Sequence, residues 1–195
     1  GENSVSALNG SNWTRFKSSG LAHHNVNDIL EDRDNKILMA TRGFGVGIYD
    51  RSSWSFIGLE NGLVSNDVVS LMEDSDGNIW IGYGMWSSSV VSKLDGSNWT
   101  HYGTADGLST GDITRIIEAT NGDIWMIKYY GSLNEDVYRF DGNSWTVWDT
   151  PESPLDIAED KDGNIWVAME DGAGVQSYDG SAWTQYTDPI NLGTG

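Results

Sequence analysis

One phrase recurs five times along the 195 residues: LNGSNWTRF (Leu8 to Phe16), YDRSSWSF (Tyr49 to Phe56), LDGSNWTHY (Leu94 to Tyr102), FDGNSWTVW (Phe140 to Trp148) and YDGSAWTQY (Tyr178 to Tyr186). A chain that repeats itself in this way is one supersecondary unit stacked on its own copies, because a single unit cannot bury its apolar face alone. The tryptophans of the phrase (Trp13, Trp54, Trp99, Trp145, Trp183) follow one another at 41, 45, 46 and 38 residues. That period is the length of one four-stranded propeller blade.

A second phrase alternates with the first: EDRDNKILMA (Glu31 to Ala40), EDSDGNIWIG (Glu73 to Gly82), EATNGDIWMI (Glu118 to Ile127) and EDKDGNIWVA (Glu159 to Ala168). Each copy sets a D-G-N type turn between two apolar, β-branched runs. This is a hairpin signal, since Asn, Asp and Gly tolerate the positive φ of a tight turn. The D-G-S turn of the first phrase marks a second hairpin, so a blade is four strands. Ten Trp and eight Tyr with 24 Gly and only three Pro fit many short strands joined by tight turns. The repeated tryptophans read as packing residues between blades rather than as ligand platforms.

The expected fold is therefore all-β, a β-propeller of four-stranded antiparallel blades. Residues 1–16 make a half blade, 17–56, 57–102, 103–148 and 149–186 make four complete ones, and 187–195 form a tail. Eighteen strands are not a whole number of blades. Three arrangements follow: a fragment of a larger propeller, a five-bladed ring with one incomplete blade, or an open chain whose strand edges are completed by another copy of itself.

With 11 Lys+Arg against 29 Asp+Glu the net charge is −18, which repels phosphate backbones and anionic lipid and sets nucleic acid aside as a partner. The acidic turns read first as a device that keeps an aromatic-rich surface soluble. Without cysteine there is no disulfide and no thiolate metal site. No apolar run approaches the ~20 residues that span a bilayer as a helix, so no membrane insertion is expected of this segment.

The phrases E-D-x-D-G-N-I-W-I-G and G-V-x-x-Y-D-G-S-x-W-T-x-Y, followed by N/D-G-L, resemble the two-component regulator propeller repeat over nearly the whole chain. That resemblance implies an extracytoplasmic sensor propeller (periplasmic, cell-surface or secreted) of the kind found in bacterial hybrid histidine kinases, with carbohydrate-like ligands typical. The repeat itself is structural and carries no catalytic residue.

Four antiparallel strands put the uniform D-G-N and D-G-S turns on one face and the variable connections on the other, where specificity usually resides. The connections after each second strand are 41–47, 82–90, 128–136 and 169–174. They hold Arg42, Phe44, Trp86, Lys128, Tyr129 and Tyr130, which break the repeat and set aromatic faces beside hydrogen-bond donors, a combination suited to a carbohydrate-like or peptide ligand. His23 and His24 in the first inter-blade connection join this candidate set. No cofactor or resident metal is expected. Asp74, Asp76, Asp160 and Asp162 resemble the first half of a calcium loop, but position twelve falls on Met85 or Asp171 where a bidentate Glu is needed, so weak Ca²⁺ binding is the most these turns suggest.

Paired carboxylates recur with the blade, whereas an active site is normally built once. No Ser-His-Asp order, HExxH, GxSxG or phosphate loop is present. The leading expectation is a non-catalytic binding or sensing module, against a self-assembling structural module and, further off, a lyase or hydrolase using Arg42, His23, His24, Tyr129 and Glu170.

Overall fold

The computed structural model describes residues 5–16, 25–84, 87, 89–129, 135–150, 152–170 and 173–187. Eighteen strands appear among them. The hairpin β1 (Val5–Asn9) and β2 (Asn12–Phe16) is a sheet of two. Four antiparallel sheets of four follow. The first blade is β3 (Val26–Glu31), β4 (Ile37–Thr41), β5 (Gly45–Tyr49) and β6 (Trp54–Ile57), and the second is β7 (Val68–Glu73), β8 (Ile79–Tyr83), β9 (Ser89–Asp95) and β10 (Asn98–Gly103). The third is β11 (Asp112–Glu118), β12 (Ile124–Tyr129), β13 (Glu135–Phe140) and β14 (Trp145–Thr150). The fourth is β15 (Pro154–Glu159), β16 (Ile165–Met169), β17 (Val175–Tyr178) and β18 (Trp183–Tyr186).

The hairpins form where the turn chemistry allows. In the second blade the Asp74 amide donates to the Asn78 carbonyl and Gly77 takes φ +90°. The first blade has Asn35 at the glycine position, and it adopts φ +63°, as asparagine does more readily than other non-glycine residues.

The turn aspartate also fixes the strand beyond it. Asp74 accepts hydrogen bonds from the Asp76 and Asn78 amides, from Asn78 Nδ2 and from the Trp80 indole Nε1, the last at 2.8 Å. Asp160 repeats this with Asn164 and Trp166. In the third blade Ala119 stands at that position, and Asp123 instead holds Arg139 Nε at 2.7 Å.

The first strands lie side by side, β3 against β7, β7 against β11 and β11 against β15. Each carries a register shift at the same place, between Val26 and Asp28, Val68 and Ser70, Ile113 and Arg115, and Pro154 and Asp156. Polar side chains at the bulge bind the next blade: Asn27 Nδ2 donates to the Val68 carbonyl at 2.7 Å, Ser70 Oγ to that of Ile113 at 2.6 Å, and Arg115 Nε to Asp156 at 2.9 Å. At the far end of the same strands Glu73, Glu118 and Glu159 each reach back and accept the backbone amide of Arg33, Ser75 and Thr120 in the preceding blade's turn.

The core is divided among the junctions. Leu38, Val46, Leu71 and Ile81 pack between blades one and two, Trp80, Ile116, Met126 and Phe140 between two and three, and Trp125, Ile157, Ile165 and Val167 between three and four. At the latter two junctions an aromatic group of four closes the outer side. Trp80 and Tyr102 meet Phe140 and Trp145 at centroid distances of 5.3–6.4 Å, and Trp125 and Trp148 meet Tyr178 and Trp183 at 5.3–6.3 Å.

Candidate functional site

The connections that vary lie where first strands begin and second strands end. The residue ahead of each first strand (Asn25, Asp67, Ser153) accepts, through its carbonyl, the amide of the residue that follows a second strand (Arg42, Gly84, Glu170). In the third blade the corresponding pair, Asp112 and Tyr129, faces across the β11–β12 ladder. The topology thus gathers Arg42, Asp67, Gly84, Asp112, Tyr129 and Glu170 at one end of the side-by-side inner strands.

Arg42 is bridged to Asp67 of the next blade through the backbone, and its Nε lies 3.5 Å from Asp67 Oδ1. The Arg42 side chain is exposed, whereas that of Asp67 is only 18% exposed. The 3.5 Å approach is an ion pair without hydrogen-bond geometry, and Asp67 Oδ1 is a buried acceptor with no hydrogen bond. Gly84 sits between two carboxylates. A Cβ there would lie 2.5 Å from Asp67 Oδ2 and 3.5 Å from Asp112 Oδ1, so both acids border the space that the missing side chain leaves. A guanidinium beside an unsatisfied carboxylate and a second acid can both donate to and accept from a hydroxylated or amide-bearing ligand.

Sequence reasoning singled out Arg42 and Tyr129 at this end but not Asp67 and Asp112. Phe44 lies in the loop after β4 and packs edge-on against Phe56, ring centroids 4.7 Å apart, so it braces the first blade. Lys128 differs from expectation. Rather than opening a loop it belongs to β12, which continues to Tyr129 because β11 still pairs with it there. Its side chain is fully buried, and Nζ donates to Ser109 Oγ at 2.6 Å, which in turn meets the Tyr138 hydroxyl at 2.9 Å. The ammonium thus serves an interior polar network, not a ligand surface. His23, His24, Trp86 and Tyr130 lie outside the described residues.

On the opposite face both oxygens of Asp74 and of Asp160 are engaged by donors of their own turns. Burial pushes the Asp74 carboxyl up, but the bonds from Asn78, Trp80 and Asp76 outweigh it and hold it below the usual aspartate value. Asp160 is likewise lowered, by Asn164 first and then the Trp166 indole. No group of three or more His, Asp or Glu side chains among the described residues is placed to hold a metal ion, and no helix among them is long and apolar enough to cross a membrane.

Comparison with known proteins bears on the fold. The chain superposes on the extracellular domain of a hybrid two component system from B. thetaiotaomicron with a TM-score of 0.74 at 23% identity, covering 93% of this chain and 26% of that one. It also superposes on virginiamycin B lyase from Staphylococcus aureus, with a TM-score of 0.76 at 15% identity, covering 96% of this chain and 64% of the lyase. PorZ, a surface component of the type-IX secretion system of Porphyromonas gingivalis, gives 0.68 at 17%, with coverages of 89% and 28%. The chain therefore spans about a quarter of the two-component domain it matches. No curated protein matches the sequence. The family model "Two component regulator propeller" matches residues 62–84 and 150–171, each including the N-terminal part of a blade. In these two stretches, at the start of its second and fourth blades, this all-β chain is similar to the two component regulator propeller repeat.

Proposed function

We propose that this chain is a non-catalytic, ligand-binding sensor propeller that works outside the cytoplasm and receives a carbohydrate-like ligand at the face bearing Arg42, Asp67, Asp112 and Tyr129. The observation that carries the reading is Asp67 Oδ1, a buried acceptor without a hydrogen bond beside an exposed guanidinium. Such an acceptor costs roughly 1–3 kcal/mol while unmet, and a ligand hydroxyl donating to it recovers part of that. The likeness in fold to an extracellular two-component domain supports the sensor reading and the location. The recurrence of the remaining carboxylates with the repeat supports a site built for binding rather than turnover.

Calorimetric titration with neutral oligosaccharides, acidic oligosaccharides and short peptides tests this. An oligosaccharide should bind, and Asp67→Ala should weaken it about tenfold or more, the equivalent of ~1.4 kcal/mol. Gly84→Ala, which drives a methyl into the Asp67 carboxylate, should weaken it too. Binding of peptides alone would replace the ligand class. Binding indifferent to both variants would remove the site, and turnover lost in Tyr129→Phe would replace the sensor reading with a catalytic one.

A further inference from the structure

The turn ahead of the second strand is built alike in blades one and two. In the first blade Asp32 Oδ1 accepts the Asp34 and Lys36 amides at 3.0 and 2.8 Å, as Asp74 Oδ1 accepts those of Asp76 and Asn78 at 3.1 and 2.8 Å. The other oxygen differs. Asp74 Oδ2 receives Asn78 Nδ2 and the Trp80 indole, and Asp160 Oδ2 receives Asn164 Nδ2 and the Trp166 indole. In the first blade Lys36 and Leu38 stand where those donors stand. No hydrogen bond from the described residues reaches Asp32 Oδ2; those to its carboxylate fall on Oδ1.

The side chains around the missing indole are smaller too. Where Trp80 and Tyr102 meet Phe140 and Trp145 between blades two and three, the equivalents between blades one and two are Leu38, Ile57, Leu94 and Trp99. Trp99, the one ring of this set, gives its Nε1 to the Asn61 carbonyl at 2.9 Å and stacks on His101. A cleft lined by Leu38, Ile48, Ile57, Ile79 and Leu94, with Asp32 at its border, holds about 310 Å³. The corresponding cleft between blades three and four, walled by Trp125 and Tyr178, holds about 180 Å³. Ile79 is only half-buried, whereas its equivalents Ile124 and Ile165 are buried. An aliphatic cavity of about 150 Å³ is already enough to admit benzene.

We propose that the cleft between blades one and two binds a small, neutral, flat N–H heterocycle of the indole type, its ring against Leu38, Ile57, Ile79 and Leu94 and its N–H donating to Asp32 Oδ2. The occupant is specified by the repeat, since in two sister blades the same carboxylate oxygen is met by an indole N–H. Neutrality follows from the rim: Arg33 is paired with Glu73 and Lys36 with Asp34, so an anionic group gains little there, whereas a donor meets a carboxylate. The size is that of a small-molecule pocket, at the lower end of the range of roughly 300–1,000 Å³. The site lies on the face of the uniform turns, opposite Arg42 and Asp67, and does not depend on the carbohydrate reading.

Calorimetric titration of the intact chain with indole, 1-methylindole and N-acetyltryptophanamide tests this. Indole should bind, and 1-methylindole, which keeps the ring but lacks the donor, should bind about tenfold more weakly, as loss of a hydrogen bond to a charged acceptor requires. Leu38→Trp, which supplies the missing ring from within, should abolish indole binding and raise the thermal midpoint. Asp67→Ala, in the face assigned to carbohydrate, should leave indole binding unchanged. Absence of indole binding at millimolar concentration overturns the proposal, as does equal binding of 1-methylindole, a comparison made on the unaltered chain and so independent of whether a variant folds. Undiminished binding in a folded Leu38→Trp variant places the ligand elsewhere and overturns it too. Binding of N-acetyltryptophanamide without indole would make the occupant a peptide side chain and replace the small molecule.

Discussion

Asp74→Ala tests how a turn fixes a blade. Asp74 is 7% exposed and accepts four hydrogen bonds, two of them from nearly buried side chains, Asn78 Nδ2 and Trp80 Nε1, at 2.8 Å each. Stranding a buried donor costs roughly 1–3 kcal/mol. Two such donors, partly relieved by water entering the turn, put the loss at about 3 kcal/mol, whereas the two turn amides can be hydrated. For a chain of this length each kcal/mol moves the thermal midpoint by about 2–4 °C, so the variant should melt roughly 6–12 °C lower. The effect has a pH signature. The carboxyl is held below its usual value of 3.8 in the folded protein, so its contribution is fully present above the unfolded value and is lost as pH falls through the folded one. The gap between wild type and variant, followed by scanning calorimetry, should therefore be constant at neutral pH and begin to shrink once the pH falls below 3.8. A gap under about 2 °C at pH 7, or one undiminished at pH 2, would refute the reasoning.

Gly45→Ala should destabilise strongly, because at φ +81° the new methyl would lie 2.2 Å from the Ile57 carbonyl oxygen; Gly142→Ala, with φ +90° but open space around it, should cost only the backbone term of about 1 kcal/mol. Urea titration of the two variants separates steric from conformational cost. Glu118→Gln removes the carboxylate that accepts the Ser75 amide at 2.7 Å and its hydroxyl at 2.6 Å, and should loosen the junction of blades two and three by about 1 kcal/mol, seen as faster amide exchange at Ser75. Asp179 accepts the Ala182 amide and then the Ser181 hydroxyl and amide, which bring it to about 2; carboxyl NMR should find it still ionised at pH 3, and Ser181→Ala should move it up.

Much of the architecture was legible because two phrases repeat with turn residues at fixed offsets. The five phrase tryptophans and the four D-G-N type turns mark the hairpins between first and second and between third and fourth strands. What was not legible depends on register. The bulge in each first strand has no residue of its own, since Asn27, Val69, Thr114 and Leu155 share no chemistry. Lys128 looked like the start of a loop because a charge ends the apolar run IWMI, yet it stays in the strand with its ammonium on Ser109. Asp67 and Asp112 are two acids among 29 in the sequence, with no motif to set them apart. Their place over Gly84 follows from the packing of one blade on the next, which a single repeat does not display.

The glutamate that reaches back from each first strand gives the row of blades a direction. Glu73, Glu118 and Glu159 all hold the turn of the blade before. Peeling away the fourth blade would leave behind the Thr120 amide and hydroxyl, which water can satisfy, and the Arg115 cation, opposite in sign to the excess charge of the chain. Peeling away the first would leave Glu73 as a surplus negative charge in a chain already at −18. The first and fourth blades should therefore fray unequally, the difference growing at low ionic strength, so that the molecule comes apart with a preferred sense although its units are alike.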